Sequence, residues 1–150
     1  MRLIKYIVKS NVLNSHLDYI YICPVFSKEM LFDNLSKNLK FPDYFGYNWD
    51  SLEELFFDFN WIEEPNIQIY HESICNLSKR DLCIYLSIIV NSVSCCQDDK
   101  QRRIEFIFNE EEKKKIEEVI QEITTISRID QGIDQGTLIC CKTLKVFEVC

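Results

Sequence analysis

Apolar positions along the chain alternate between two periods, and the change of period marks the elements. Leu3–Val8 (LIKYIV) and Asp18–Cys23 (DYIYIC) read as strands, the second ending at Pro24. Ser27 is placed to cap a helix from Lys28 to Leu39, with Met30, Leu31, Leu35 and Leu39 near helical spacing on its buried face. Pro42 and Gly46 interrupt the pattern within FPDYFGYN, and a second helix is predicted from Trp49 to Phe59. Asn66–His71 (NIQIYH) alternates as a strand. Leu77–Cys96 reads as a long apolar helix with Leu82, Tyr85, Leu86, Ile89 and Val93 on one face, and Arg103–Phe108 (RIEFIF) as a further strand. Asn109 is placed to cap a fourth helix, on which Glu110–Lys114 and Glu111–Lys115 are spaced for ion pairs and Ile116, Val119, Ile120 and Ile123 form a buried side. The tandem Ile129–Gly132 and Ile133–Gly136 (IDQG twice) reads as a turn or loop, and Thr137–Cys150 as one or two strands.

Strands separated by helices imply an α/β fold with a small, mainly parallel sheet, because each return to the sheet passes through a helix. The 150 residues fit a single domain, with a core at about 18–108 and a C-terminal helix-strand extension at about 109–150. Hydrophobic residues at 47% and charged residues at 27% exclude a disordered chain. No apolar run reaches the length of a membrane span. Met1–Ser15 carries Arg2, Lys5 and Lys9 without a long apolar run, so no signal peptide is read there. The eight cysteines include no CxxC pair and no Cys/His array at zinc spacing. Cys23 and Cys83 lie in apolar stretches, where Cys behaves as a small hydrophobe. Reduced structural thiols in a cytoplasmic protein are therefore expected, with no metal and no cofactor.

The net charge of −7 argues against nucleic acid as a partner, since phosphate affinity comes from Lys and Arg. It favours a basic protein. The charge is concentrated. From Phe41 to Ser78 there is no Lys or Arg, while Asp43, Asp50, Glu53, Glu54, Asp58, Glu63, Glu64 and Glu72 give a local charge of −8. Like charges at i,i+4 on a helix destabilise it, by roughly 0.2–0.5 kcal/mol a pair, so stability does not explain the cluster. At 100° per residue Leu52, Leu55, Phe56 and Phe59 share one helix face. Asp50, Glu53, Glu54 and Asp58 fall opposite, with Phe57 projecting among them and Trp49 at the edge of the stripe. An aromatic set among acids suits an interface anchor with an electrostatic rim. The plainer reading is a solvated helix face, with Asp50 favouring the helix dipole. An enzyme is disfavoured, because the carboxylates lie mostly on one helix and no opposing acid is identified. His16 and His71 sit in unremarkable settings, and His71 reads as structural; no catalytic residue is assigned.

The segment Phe41–Pro65, FPDYFGYNWDSLEELFFDFNWIEEP, resembles the signature of the barstar family, inhibitors of the ribonuclease barnase. The likeness rests on Pro42, Tyr44, Phe45, Gly46, Asn48, Asp50, Leu52, Glu54, Trp61 and Pro65, and the order of elements from Asp18 to Phe108 is also similar. The resemblance implies a barstar-like three-layer arrangement and a chain that occludes the active site of a cognate basic toxin, a ribonuclease, with a helix and the loop before it. It implies that Tyr44 packs at the interface, that Asp50 engages basic active-site residues, that Glu54 takes a phosphate-binding position, and that Trp61 lies close by. The partner-binding set is then Tyr44, Tyr47, Trp49, Asp50, Glu53, Glu54, Phe57, Asp58 and Trp61. Glu53 stands where the family has tryptophan, Trp49 where it has leucine, and Glu54 is one methylene longer than the family's Asp. For the acids late in the family's third helix, only Asp98 and Asp99 are available here. Two alternatives are an immunity protein of the same fold against another toxin class, such as a deaminase, and a non-inhibitory interaction module.

Overall fold

The computed structural model describes residues 2–95 and 102–131, and the side chains of these apart from 95 and 127–131. In chain order the elements are β1 (Arg2–Ile7), α1 (Lys9–Leu13), β2 (Ile20–Ile22), α2 (Lys28–Asn38), α3 (Trp49–Asp58), β3 (Asn66–His71), α4 (Lys79–Cys95), β4 (Arg103–Asn109), a 3-10 turn (Glu110–Glu112) and α5 (Lys113–Gln131). The four strands form one sheet in the order β1-β4-β3-β2, and every pairing is parallel.

That order fixes the layers. Crossovers between parallel strands are right-handed. The steps β2 to β3 and β3 to β4 move in one direction, so their helices share a face. The step from β1 to β2 crosses the whole sheet in the opposite direction, which puts α1 on the other face. The packing follows this rule. Buried residues of α2, α3, α4 and α5 form one cluster with Ile22, Ile67, Ile69, Ile104, Phe106 and Phe108. Val12 of α1 instead packs with Tyr70 and Ile107, the alternate residues of β3 and β4. Tyr19 and Tyr21 add rings 6.4 and 5.5 Å from Tyr70. Lys9 and the Tyr21 hydroxyl both engage the Glu72 carboxylate, tying α1 to the sheet.

Two buried polar groups organise the sheet. Glu105, 1% exposed, accepts from Lys5 at 2.7 Å, Arg103 at 2.6 Å and Gln68 at 2.8 Å, joining β1, β4 and β3. Burial raises its pKa, but those three donors outweigh burial and hold it below the ordinary value. Replacing Glu105 by Ala leaves the Lys5 and Arg103 charges without this acceptor, and chemical denaturation should register a loss of roughly 2 kcal/mol. His71 is fully buried, with Nδ1 3.1 Å from the Ile107 carbonyl and Nε2 2.6 Å from the Tyr85 hydroxyl. A carbonyl only accepts, so Nδ1 carries the proton and Nε2 accepts from Tyr85. Glu112 ties the start of the last helical segment to the β3–α4 loop, accepting from Ser73 Oγ at 2.7 Å and Ile74 N at 2.9 Å.

Several expectations are corrected. Helix α1 was not anticipated. It has five residues and its N-cap, Val8, has no capping side chain. Strand β2 is shorter than Asp18–Cys23, and Cys23 is exposed rather than a core hydrophobe, whereas Cys83 is buried. On α2 Met30 is exposed and Phe32 takes the buried place, meeting Phe45 and Trp49 at ring distances of 5.9 and 4.8 Å. In place of the Glu110–Lys114 and Glu111–Lys115 pairs, Glu110 lies 3.9 Å from Lys113, and Lys115 donates to the Cys75 carbonyl at 2.7 Å. Helix α5 runs through Ile129, Asp130 and Gln131, which were expected in a turn. The second IDQG, the strands read in Thr137–Cys150, Cys96, Cys140, Cys141, Cys150, Asp98 and Asp99 lie outside the described residues.

Candidate partner-binding face

The loop after α2 is built on rings. Phe41 packs edge-on against Phe45 at 4.7 Å and Trp61 at 5.4 Å, and the Phe45 N–H closes a turn on the Pro42 carbonyl at 3.0 Å. A Cβ at Gly46 would lie 2.8 Å from Asn48 Nδ2 and would displace that side chain. That amide donates to the Gly46 carbonyl at 3.2 Å, and the Gly46 N–H donates to Ser51 Oγ at 3.1 Å. Asn48 also caps α3, its Oδ1 accepting from the Ser51 N–H at 2.9 Å. Asn48→Ala removes this cap and should lower the thermal midpoint, at a cost of about 1 kcal/mol.

Among the described residues, three non-glycine positions have left-handed backbones: Lys40 (φ 51°), Tyr47 (φ 50°) and Phe59 (φ 54°). All three lie in or next to the 41–61 segment. Left-handed geometry is unfavourable for side chains with a Cβ and collects where surrounding structure enforces it. At Tyr47 it holds the ring beside Phe45 at 4.9 Å and the hydroxyl 3.3 Å from Ser36 Oγ of α2.

Helix α3 divides into the faces its spacing predicts. Leu52, Leu55, Phe56 and Phe59 are buried. Asp50, Glu54 and Asp58 are exposed, one turn apart in succession. Asp50 and Glu54 hold no ion pair among the described residues. Asp58 is occupied locally, accepting from the Asn60 N–H at 3.0 Å and its Nδ2 at 2.7 Å. Tyr44 is 72% exposed, Tyr47 58% and Phe57 49%. These six side chains form the outward face of the loop and helix.

The other three candidates are placed differently. Glu53 is half-buried and turned toward Asn91 of α4 rather than standing on the open face. Burial raises its pKa and the Asp50 carboxylate adds to this, while a hydrogen bond with Asn91 acts in the opposite sense. Its Oε1 is buried without a hydrogen-bond partner. Trp49 packs inward, 4.8 Å from the Phe32 ring and 6.5 Å from Tyr85. Trp61 stacks on Phe59 at 5.3 Å and donates from Nε1 to the Leu39 carbonyl at 2.9 Å. Both tryptophans are half-buried supports of the face. Trp61 also lines a cleft of about 620 Å³ with Asp18, Lys40, Glu63 and Glu64.

The sequence reading did not single out Ser36 and Asn91, which sit beside Tyr47 and Glu53. Both act across helix contacts, for which no local signal exists. Among the described residues no group of acids, cysteines or histidines is arranged to hold a metal ion, and no helix is long and apolar enough to cross a membrane.

A family model described as Barstar (barnase inhibitor) matches residues 18–110, more than half of the chain. No curated protein and no solved structure matches.

Proposed function

Because this chain belongs to the barstar family, we propose that it binds a basic ribonuclease toxin and occludes its active site with α3 and the loop before it. The observation that carries this reading is the pair Asp50 and Glu54, exposed one turn apart without internal cations and bordered by the exposed rings of Tyr44, Tyr47 and Phe57. A ribonuclease active site is a basic cleft shaped for phosphate. Carboxylates on a helix held at both ends can occupy anion positions there. Charge-assisted hydrogen bonds from Arg or Lys then form without disturbing an existing ion pair. The rings exclude water around those contacts. The inhibitor needs geometry and negative charge, and no group has to transfer a proton.

Glu53 supports a target whose active-site rim differs from that of barnase. It stands where the family has an indole but turns its carboxylate toward Asn91 of α4, so the partner meets no aromatic ring at that position. The test is direct. The purified chain is titrated into barnase, and into the basic product of the adjacent gene, while cleavage of a fluorogenic RNA is followed. Stoichiometric inhibition of either is expected. Binding without inhibition supports a non-ribonuclease target or a docking module; no binding to either protein removes the reading.

A further inference from the structure

We propose that Arg2 and Arg102 are positioning residues that set the pose of the α3 binding face; this rests on the inhibitor reading above. The last carbonyls of a helix have no partner within it. Here two of those at the end of α3 are taken by arginines at the start of β1 and just before β4. Arg2, the first residue of β1 and itself buried, donates from Nη1 to the Phe56 carbonyl at 2.8 Å and to Ser92 Oγ at 2.7 Å. Ser92 Oγ of α4 donates to the same Phe56 carbonyl at 2.6 Å. The Arg2 guanidinium also lies 5.2 Å from the centre of the Phe59 ring. Arg102, just before β4, donates from Nη1 to the Phe59 carbonyl at 2.7 Å. Two cations at a helix C-terminus also complement its dipole.

The placement matters because of what the outer face lacks. Asp50 and Glu54 have no internal ion pair to orient them, so their directions follow from the helix backbone. The Asn48 cap holds one end of that backbone and the two arginines hold the other, with Asp50, Glu54 and Phe57 between. A recognition group displaced by about an ångström loses much of its effect. Arg2 lies outside the family match at 18–110, so the added N-terminal strand takes part in aiming the helix as well as extending the sheet.

The test uses the full chain with Arg2→Met, Arg2→Lys and Arg102→Met; half-buried Arg102 provides a variant that folds if Arg2→Met does not. Folding is checked by circular dichroism, amide hydrogen exchange is read along α3, and binding kinetics are measured on whichever of barnase and the basic product of the adjacent gene the wild type binds. Losing hydrogen bonds from a charged group should speed dissociation about 10- to 100-fold, with the association rate within about twofold because the steering acids are unchanged. Exchange should rise in the last turn of α3 and not at its capped start. Arg2→Lys, which keeps the charge and a donating ammonium but not the guanidinium fork, should fall between wild type and Arg2→Met. A role in stability alone would lower the active fraction and leave dissociation of the remaining complex unchanged. Wild-type binding with unchanged dissociation in Arg2→Lys and Arg102→Met overturns the positioning role alone. Failure of the wild type to bind either protein overturns it together with the inhibitor reading.

Discussion

Glu54→Lys should weaken binding of the proposed ribonuclease partner by about 1000-fold or more while leaving the fold intact. Removing one member of a desolvated charge pair at an interface costs roughly 2–5 kcal/mol, a range to which the barnase–barstar pair itself has contributed. Reversal also presents an ammonium to a pocket built for phosphate. At 1.4 kcal/mol per factor of ten, about 4 kcal/mol corresponds to the stated loss. Stability should respond little, and in the other direction. Glu54 is exposed and stands one turn from both Asp50 and Asp58. The substitution replaces two like-charge i,i+4 contacts with two opposite-charge ones, each worth a few tenths of a kcal/mol, about 0.2–0.5. Calorimetric titration and thermal melting together separate the two effects. A variant that binds as tightly as wild type would move the interface away from α3. The wild-type association rate should also fall steeply with added salt, as expected for an acidic face steering a basic partner.

Acidification from pH 7 to pH 4 should remove about 3 kcal/mol of stability through His71 alone. Burial lowers the His71 pKa to about 4, against the bonds to the Ile107 and Ile69 backbone, which favour the charged form. The unfolded chain titrates near the ordinary 6.5. Between these values the unfolded chain binds the proton and the folded protein does not, so unfolding becomes easier as pH falls. The contribution is complete above pH 6.5 and lost as pH falls toward 4. At about 1.4 kcal/mol per pKa unit, the shift gives the stated loss. The geometry supplies the cause. Nε2 accepts from Tyr85, so a second ring proton deprives that buried hydroxyl of its acceptor. Glu72 and Glu105, with lowered pKa values, act in the same direction below pH 4.5. Glu53, raised by burial, opposes them. His71→Gln should cost stability at pH 7 and flatten the dependence between pH 6.5 and 4.5. Urea denaturation at a series of pH values measures both, and parallel curves for the two proteins would rule out His71 as the source.

Legibility from the sequence followed the range of the interactions involved. Strand β3 reads correctly at both ends because period-two alternation and the preceding Pro65 are local signals. The buried face of α3 reads correctly for the same reason. Met30 was misjudged: at 100° per residue it lies opposite Leu35 and Leu39, whereas Phe32, which was not assigned, falls within their stripe and meets the loop ring Phe45 and the α3 ring Trp49. Trp49 itself was assigned to the interface, but Phe32 and Tyr85 from two other helices hold it against the core. Glu53 read as an outer acid until Asn91 of α4 claimed it. Helix α1 is too short to show a period. The strand order left no local trace, since parallel neighbours can be far apart in sequence. On α3 and the loop before it, the exposure of the acids Asp50, Glu54 and Asp58 and of the Phe57 ring was legible from spacing. The supports of that face (Ser36, Asn91, Ser92, Arg2 and Arg102) were not, because each acts through a tertiary contact.

The pairing of β1 with β4 has a consequence for how the molecule comes into being. Arg2 pairs with Ile104 across the sheet, so the first and last of the described strands must meet over a separation of about a hundred residues. Closing so long a loop is entropically costly, and topologies dominated by distant pairings fold slowly. On the ribosome, β1 is made well before β4 and waits for that neighbour while the residues between them are synthesised. Through that interval LIKYI is an unpaired apolar strand, the kind of segment that invites association with other chains. The α3 C-terminus also lacks its Arg2 contact until then. The C-terminal end of α3 therefore takes its final position only once β1 has docked on β4.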